Sequence, residues 1–477
     1  MNPATCLAAL LLATPAILHA ADTPSQKPNV LFIAVDDLND FPFFARRHPD
    51  ARTPNLDRLA ERGVVFASAH CQFPLCGPSR ASIMSGLRPS TLGYDNHMKD
   101  DDLQSRAREL GTELLHSYFS QNGYRTLAVG KICHHHVPKG SVDASGGRGP
   151  FDGGTGKLAR NWSHKGTSTD WAMAPEHDGQ LPDHKAAGWA VRQLKARHDK
   201  PFFLMVGFMR PHVPWYVPKK WFDLYDKEKL TLPPFNPDDL DDVPAIAKRI
   251  SILEAMPRTA DMIKSGRWRD ILQAYLACVS FADHQVGRVL EALEQSPYRD
   301  NTIVVLWSDH GYHMGEKNTF QKQSLWERAS HTPLVIAGPQ VAAGRRCDRV
   351  VSLLDLYPTL IGMCGLPANA KNEGRSLVPL LQDPAREWPH PAIIGWLENS
   401  FAVQTESHRY IRYGDGSEEL YDHRNDLNEW TNLAARPELA PVKKELAAVL
   451  DSSLKIRPTP PTRPANSGNR SQNEKTP

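Results

Sequence analysis

The chain has 477 residues, of which 40% are hydrophobic and 23% charged; that is room for one large core plus an appendage, and it excludes a peptide hormone, a disulfide mini-protein, a collagen and a coiled coil. With 56 Lys+Arg against 54 Asp+Glu the formal net charge is +2. No global attraction to nucleic acid or an anionic membrane follows, so any anionic partner must be held locally.

In chain order, the first feature is an apolar stretch from Leu7 to Leu18 that ends in the small residues Ala20 and Ala21. It is too short to span a bilayer and has signal-peptide length, which predicts a signal peptide over 1–21 and an exported protein, periplasmic or extracellular, or in a lysosomal-type lumen in a eukaryote. No later run approaches 18 apolar residues, so membrane insertion is not expected. Short apolar runs rich in β-branched residues at 29–35, 126–129, 202–206, 303–307 and 334–337 predict buried parallel strands. Between them, Thr53-Pro54 with Leu56, Leu59 and Gly63, then 112–122 and 271–295, carry helical signals. The alternation predicts an α/β fold: a large sandwich over 28–375, with a mostly parallel central sheet flanked by helices. After Arg375 the texture shifts to short alternating segments at 401–405, 409–413 and 419–422, which predict a smaller C-terminal α+β subdomain over 376–456 with an antiparallel sheet. The last stretch, 457–477, is rich in Pro, Thr, Ser and Asn and is expected to be a disordered tail. Six cysteines follow the signal segment without framework spacing and are expected as buried thiols, with a Cys347–Cys364 pair left open.

Ligands in open α/β sheets bind where the carboxyl ends of strands converge. Four predicted strands run into Asp36-Asp37, Lys131 with His134, Arg210 with His212, and Asp309-His310. An Asp doublet alone is as well explained by a turn or cap. Three carboxylates at one edge, however, repel one another and call for a cation, and oxygen-rich ligation favours a hard one, Ca²⁺ or Mg²⁺. Zinc is a rival on ligand type, but the contiguous His134-His135-His136 lacks the spacing a tetrahedral site needs. Cys76-Gly77-Pro78-Ser79-Arg80, closed by Gly86, places Cys76 at a helix start where free N–H groups favour an anion, with Arg80 as a fixed positive fork.

These blocks resemble the type I, formylglycine-dependent sulfatases of the alkaline phosphatase-like superfamily, in the branch of the iduronate-2-sulfatases. The signature C-x-P-S-R-x-x-x-[LM]-[TS]-G stands complete at 76–86, and similar blocks occur at 30–38, 129–134, 201–214 and 308–311. The resemblance implies that Cys76 is converted to Cα-formylglycine by a formylglycine-generating or sulfatase-maturating enzyme, and that the hydrated aldehyde supplies the nucleophilic oxygen. It further implies one calcium ion on Asp36, Asp37, Asp309, His310 and residue 76. Arg80 would steady formylglycine and carboxylates, Lys131 and Lys322 would neutralise sulfate charge, His134 would take the proton of the second hydroxyl, and His212 would protonate the departing alcohol. The implied substrate is a sulfated carbohydrate, but Tyr312 and His313 stand where the animal iduronate enzyme has a tryptophan, so iduronate specificity does not carry over. Trp396, Glu398 and Arg409 are candidates to face a sugar, with packing or surface roles as an equal alternative. Two alternatives stay open: a phosphodiester or phosphonate ester hydrolase, and a non-catalytic glycan-binding protein with Cys76 left a thiol.

Overall fold

A computed structural model describes residues 27–42, 48–150 and 156–455; the predicted signal peptide and tail lie outside the described residues. The strands in chain order are β1 (Asn29–Val35), β2 (Gly63–His70), β3 (Arg125–Gly130), β4 (Ala144–Ser145), β5 (Trp171–Met173), β6 (Phe202–Phe208), β7 (Trp215–Val217), β8 (Thr302–Ser308), β9 (His331–Ala337), β10 (Arg345–Ser352), β11 (Ala392–Trp396), β12 (Ser400–Gln404), β13 (His408–Arg412) and β14 (Glu418–Asp422). Eight of them form the central sheet in the order β10-β2-β9-β8-β1-β6-β3-β4, and β5 pairs with β7 apart from it.

β1 is apolar at nearly every position because both its faces are covered. Leu31, Ile33 and Val35 join the core that holds the 27-residue helix Trp268–Glu294, whereas Val30, Phe32 and Ala34 point into the core of Cys76–Ser85 and Leu356–Met363. The same alternation in β6 sends Leu204 and Val206 to one side and Phe203 and Met205 to the other. β1 is flanked by β6 and β8, both parallel to it, so the carboxyl ends of three adjacent strands open on one edge.

Strand 334–337 departs from the parallel expectation. β9 runs antiparallel to both β8 and β2. The physical reason lies in the connection: between Ser308 and His331 there are only single helical turns, Glu316–Asn318 and Glu327–Ser330, and a parallel return needs a crossover of a dozen or more residues, usually a helix. The chain leaves β8 at the site edge and re-enters the sheet from that same edge. Six strands escaped the periodicity, β2, β10 and β11 with the short β4, β5 and β7; β10 carries four charged residues in eight. Gly63 opens β2 instead of closing the preceding helix, which spans Pro54–Ala60, and the helix predicted over 112–122 is shorter, Leu115–Gln121.

The separate C-terminal sheet has four antiparallel strands in sequence order. One face, with Ala402 and Ile411, packs on Phe73, Leu75 and Trp326 of the large unit; the other, with Val403 and Tyr410, packs on Leu446 and Leu450 of the helix Ala440–Lys455. Cys347 and Cys364 are both buried free thiols, so the open pairing is not made. Among the described residues no helix is long and apolar enough to cross a membrane.

Candidate active site

Each predicted strand end delivers its residue. After β1 the chain turns at Asp37, whose φ of 59° lies in the left-handed region that Asp tolerates better than most residues. That turn is held by the Tyr275 hydroxyl, which donates to the Asp37 carbonyl at 2.9 Å, and by the Asp37 N–H, which donates to Asp309 Oδ1 at 3.3 Å. After β3 the backbone passes β6 so closely that a Cβ on Gly130 would stand 1.7 Å from the Gly207 carbonyl oxygen, and one on Gly207 1.9 Å from that of Lys131. Only glycine fits at this pair, and the close approach is what brings Lys131 into the site. Helix Cys76–Ser85 ends at Gly86 with φ 71°, as its sequence predicts, and begins at Cys76 itself.

Arg80 is fully buried. It donates from Nε to Asp309 Oδ2 at 2.7 Å, from Nη2 to Asp36 Oδ1 at 3.2 Å, and from Nη1 to the carbonyls of Lys131 and Ile132 at 2.6 and 3.1 Å. Lys131 Nζ donates to Asp36 Oδ2 at 2.5 Å; Lys322 Nζ reaches Asp37 Oδ1 at 2.7 Å and Cys76 Sγ at 2.9 Å. Three carboxylates thus face three cations. Burial raises the Asp36 carboxyl, but Lys131 and Arg80 outweigh it and hold the group well below its ordinary value; at Asp37 burial wins over Lys322 and the group is raised.

The histidines have defined tautomers. His310 Nδ1 lies 2.9 Å from the Gly311 carbonyl, and His212 Nδ1 lies 2.6 Å from that of Val213; a carbonyl only accepts, so both rings carry their proton at Nδ1 and present Nε2 to the site. Burial lowers both from the ordinary histidine value. His310 Nε2 then faces Asp37 Oδ1 at 3.3 Å and Asp309 Oδ1 at 3.7 Å, and Cys76 Sγ at 3.3 Å. A ring nitrogen and two carboxylate oxygens converge here, and the buried Asp37 Oδ2 has no hydrogen-bond partner among the described residues. The ligand atoms of Asp36, Asp37, Cys76 and His310 all lie within 4.8 Å of one another. This donor set fits a hard divalent cation.

The Cys76 thiol is pushed well up, first by burial and then by Asp36, so it is not a thiolate nucleophile as it stands. His134 is half-buried, stacked on His97 with centroids 3.8 Å apart and planes at 10°. The His97 ring in turn abuts Gly77, where a Cβ would meet its Nδ1 at 2.6 Å, so the stack stands beside the residue that follows Cys76.

The profile of the Sulfatase family matches residues 28–366, the stretch that contains every one of these side chains. The chain belongs to the sulfatase family. It is a sulfuric ester hydrolase by that membership. A second profile, N-sulphoglucosamine sulphohydrolase, C-terminal, matches residues 315–455 of this sulfatase. It is 48% identical over 423 residues to a sulfatase of Formosa agariphila, covering 86% of this chain and 83% of that one, and 31% identical over 388 residues to mouse iduronate 2-sulfatase, covering 71% and 69%. Among solved structures, a protein in complex with its substrate D-glucosamine-2-N,6-O-disulfate superposes with a TM-score of 0.72 at 21% identity, covering 90% of this chain and 98% of its own. A phosphonate monoester hydrolase of Agrobacterium radiobacter gives 0.73 at 22%, covering 90% and 95%. At such identities these two speak to the fold.

Trp396, Glu398 and Arg409 have the packing and surface roles that the sequence held open beside sugar contact. Trp396 is buried and donates from Nε1 to the Ile250 carbonyl at 3.0 Å, Glu398 is exposed and paired with Arg249 at 2.6 Å, and Arg409 is enclosed among buried carboxylates. Tyr312 and His313 are also turned inward, with Tyr312 donating to the Phe320 carbonyl at 3.1 Å and His313 Nε2 2.9 Å from Ser324 Oγ. The sequence reading missed His97, a lone histidine in an irregular loop, and Tyr275, whose place on a long helix looks like core; neither carries a signal that sequence alone would expose.

Proposed function

We propose that this sulfatase is an exported enzyme that removes sulfate from a sulfated glycan, such as a uronate-containing polysaccharide, using formylglycine at position 76 and one calcium ion on Asp36, Asp37, Asp309 and His310. The observation that carries the reading is the convergence of Asp36, Asp37 and His310 on Cys76 Sγ, with Asp309 Oδ1 3.7 Å from His310 Nε2 and Lys322 Nζ 2.9 Å from the same sulfur. Support for the substrate class comes from the iduronate 2-sulfatases at about 30% identity and from the disulfated glucosamine held by a protein of the same fold. When present, the oxidised residue 76 supplies a hydrated aldehyde oxygen as nucleophile and the calcium ion supplies Lewis acidity toward the sulfate.

The chain's own groups do the rest. Three acids balance three bases at this edge, so a divalent ion leaves it with two excess positive charges, suited to a sulfate monoester monoanion. Lys131 and Lys322 offer ammonium donors to sulfate oxygens as charge grows on them, in a site closed to water where such donors act strongly. His212, with its Nδ1 turned to the Val213 carbonyl, presents Nε2 to the leaving group and would protonate it once that nitrogen has itself taken up a proton. His134 has a buried Nδ1 with no partner among the described residues, the atom at which it would take a proton; burial and His97 lower its basicity.

The test pairs mass spectrometry with turnover. The peptide containing Cys76 is expected to be about 18 Da lighter than its thiol form, and Cys76→Ala is expected to fold and to lose hydrolysis of aryl sulfates and sulfated oligosaccharides. An alkylatable thiol in active enzyme would overturn the nucleophile. Faster turnover of an aryl phosphate diester than of the matching aryl sulfate would overturn the ester class.

A further inference from the structure

Outside the site, a second group of ionisable residues lies buried: Glu327, Glu429 and His423 bring ligand atoms within 4.8 Å of one another. It is already closed by a cation of the chain. Arg409, on β13, places Nε 2.8 Å from Glu429 Oε1 and pairs through Nη2 with the Glu327 carboxylate. Its other contacts are with backbone and hydroxyl: Nη1 donates to the Leu325 carbonyl at 2.8 Å and Nη2 to Ser330 Oγ at 3.1 Å.

These contacts fall on the segment that carries Lys322. Three successive residues just beyond that lysine are each held from the C-terminal part of the chain: Leu325 by Arg409 of β13, Trp326 through Nε1 by Glu419 of β14 at 2.8 Å, and Glu327 through its N–H by Glu429 of the following loop at 2.8 Å. Tyr413 and Tyr421 fix the Glu419 acceptor at 2.7 and 2.5 Å. On the near side of the segment, Lys317 Nζ bonds Asp239 at 2.6 Å and the Glu429 carbonyl. Between the two anchors, Gln323 adopts φ 70°, left-handed for a residue with a side chain, and its N–H reaches the Pro74 carbonyl at 3.1 Å. A non-glycine residue keeps such a conformation only where its surroundings over-determine it. The network stops short of the substrate, yet everything it fixes lies within a few residues of the one lysine that touches both Asp37 and Cys76.

We propose that Arg409 is a positioning residue for Lys322: the C-terminal antiparallel sheet, through this guanidinium, sets where the Lys322 ammonium stands in the site. The inference rests on the role given above to Lys322. A fork with three contacts on the stretch Leu325 to Ser330 and a fourth on Glu429 fixes orientation as well as distance, which a point charge does not.

The experiment is a double-mutant cycle on the matured enzyme with 4-nitrophenyl sulfate and the poorer leaving group phenyl sulfate. Arg409→Lys, which keeps the charge and loses the fork, is expected to lower kcat on the order of tenfold, with a larger loss on phenyl sulfate and little change in KM. In a Lys322→Ala background the same substitution is expected to change kcat by less than about twofold. Trp326→Phe, which deletes one hydrogen bond to Glu419 and keeps the ring, is expected to repeat the pattern at smaller amplitude and serves if Arg409→Lys does not fold. Losses that multiply with that of Lys322→Ala, equal on both esters, would show a structural contribution only and overturn the positioning role while Lys322 keeps its own. Wild-type turnover in Lys322→Ala itself would remove the premise, and the proposal with it.

Discussion

Replacing Arg80 by Met tests whether the site is an electrostatically closed unit. The guanidinium lies 2.7 Å from Asp309 Oδ2 and 3.2 Å from Asp36 Oδ1, fully buried. At an effective dielectric of about 20 those contacts are worth roughly 6 and 5 kcal/mol before the cost of desolvating the three charges. Most of that gross attraction is cancelled by desolvation, but removing one partner of a buried pair leaves the other charge uncompensated, at about 3–5 kcal/mol. Arg80→Met is therefore expected to lose about 3–5 kcal/mol of unfolding free energy in chelator, against about 5–15 for a typical protein. Calcium at a hundredfold over its dissociation constant returns about 2.7 kcal/mol by mass action. The shift should exceed that of wild type at equal calcium, since a competing positive charge has gone. Urea unfolding followed by tryptophan fluorescence, with chelator and with calcium, measures both. A loss below about 1 kcal/mol in chelator would refute the view that Arg80 holds the acids together.

Asp309→Asn is expected to weaken calcium binding at least about tenfold, with turnover falling in step; normal calcium content in the purified variant would exclude Asp309 as a ligand. Gly77→Ala puts a methyl 2.6 Å from the His97 ring, so it should displace the stack on His134 and lower kcat by roughly tenfold at an unchanged melting temperature; wild-type kcat would show the stack to be idle. At Glu327 burial raises the carboxyl, but His70, Arg409 and His331 outweigh it and hold it well below its ordinary 4.5. A depressed folded value means stabilisation that is complete above the unfolded value and lost as the pH falls through the folded one. The stability gap between wild type and Glu327→Gln should therefore shrink steadily below about pH 4.5, and a gap constant from pH 7 to 3 would contradict the assignment.

Much of the architecture was legible because parallel strands buried on both faces must be apolar throughout, and 29–35, 202–206 and 303–307 are so. The site was legible because chemistry follows strand ends: Asp36, Lys131, His212 and Asp309 come directly after runs whose periodicity is plain. Lys322 came from resemblance alone, since its segment has no regular structure to place it. What stayed hidden was set by partners remote in sequence. The direction of β9 depends on the absence of a crossover helix, β10 trades apolar pattern for exposed charge, and Arg409 looks like a sugar-binding residue until Glu327 and Glu429, 82 positions before it in one case, are seen around it.

Cys76 is 1% exposed, on the first turn of a helix packed into the core. Under the proposed chemistry this imposes a calendar on biosynthesis. A modifying enzyme would have to reach a side chain that the folded chain encloses, so on that chemistry the oxidation comes before the sheet closes. On the same reading an ion could be taken up after folding, because the three acids and three bases at this edge balance in charge.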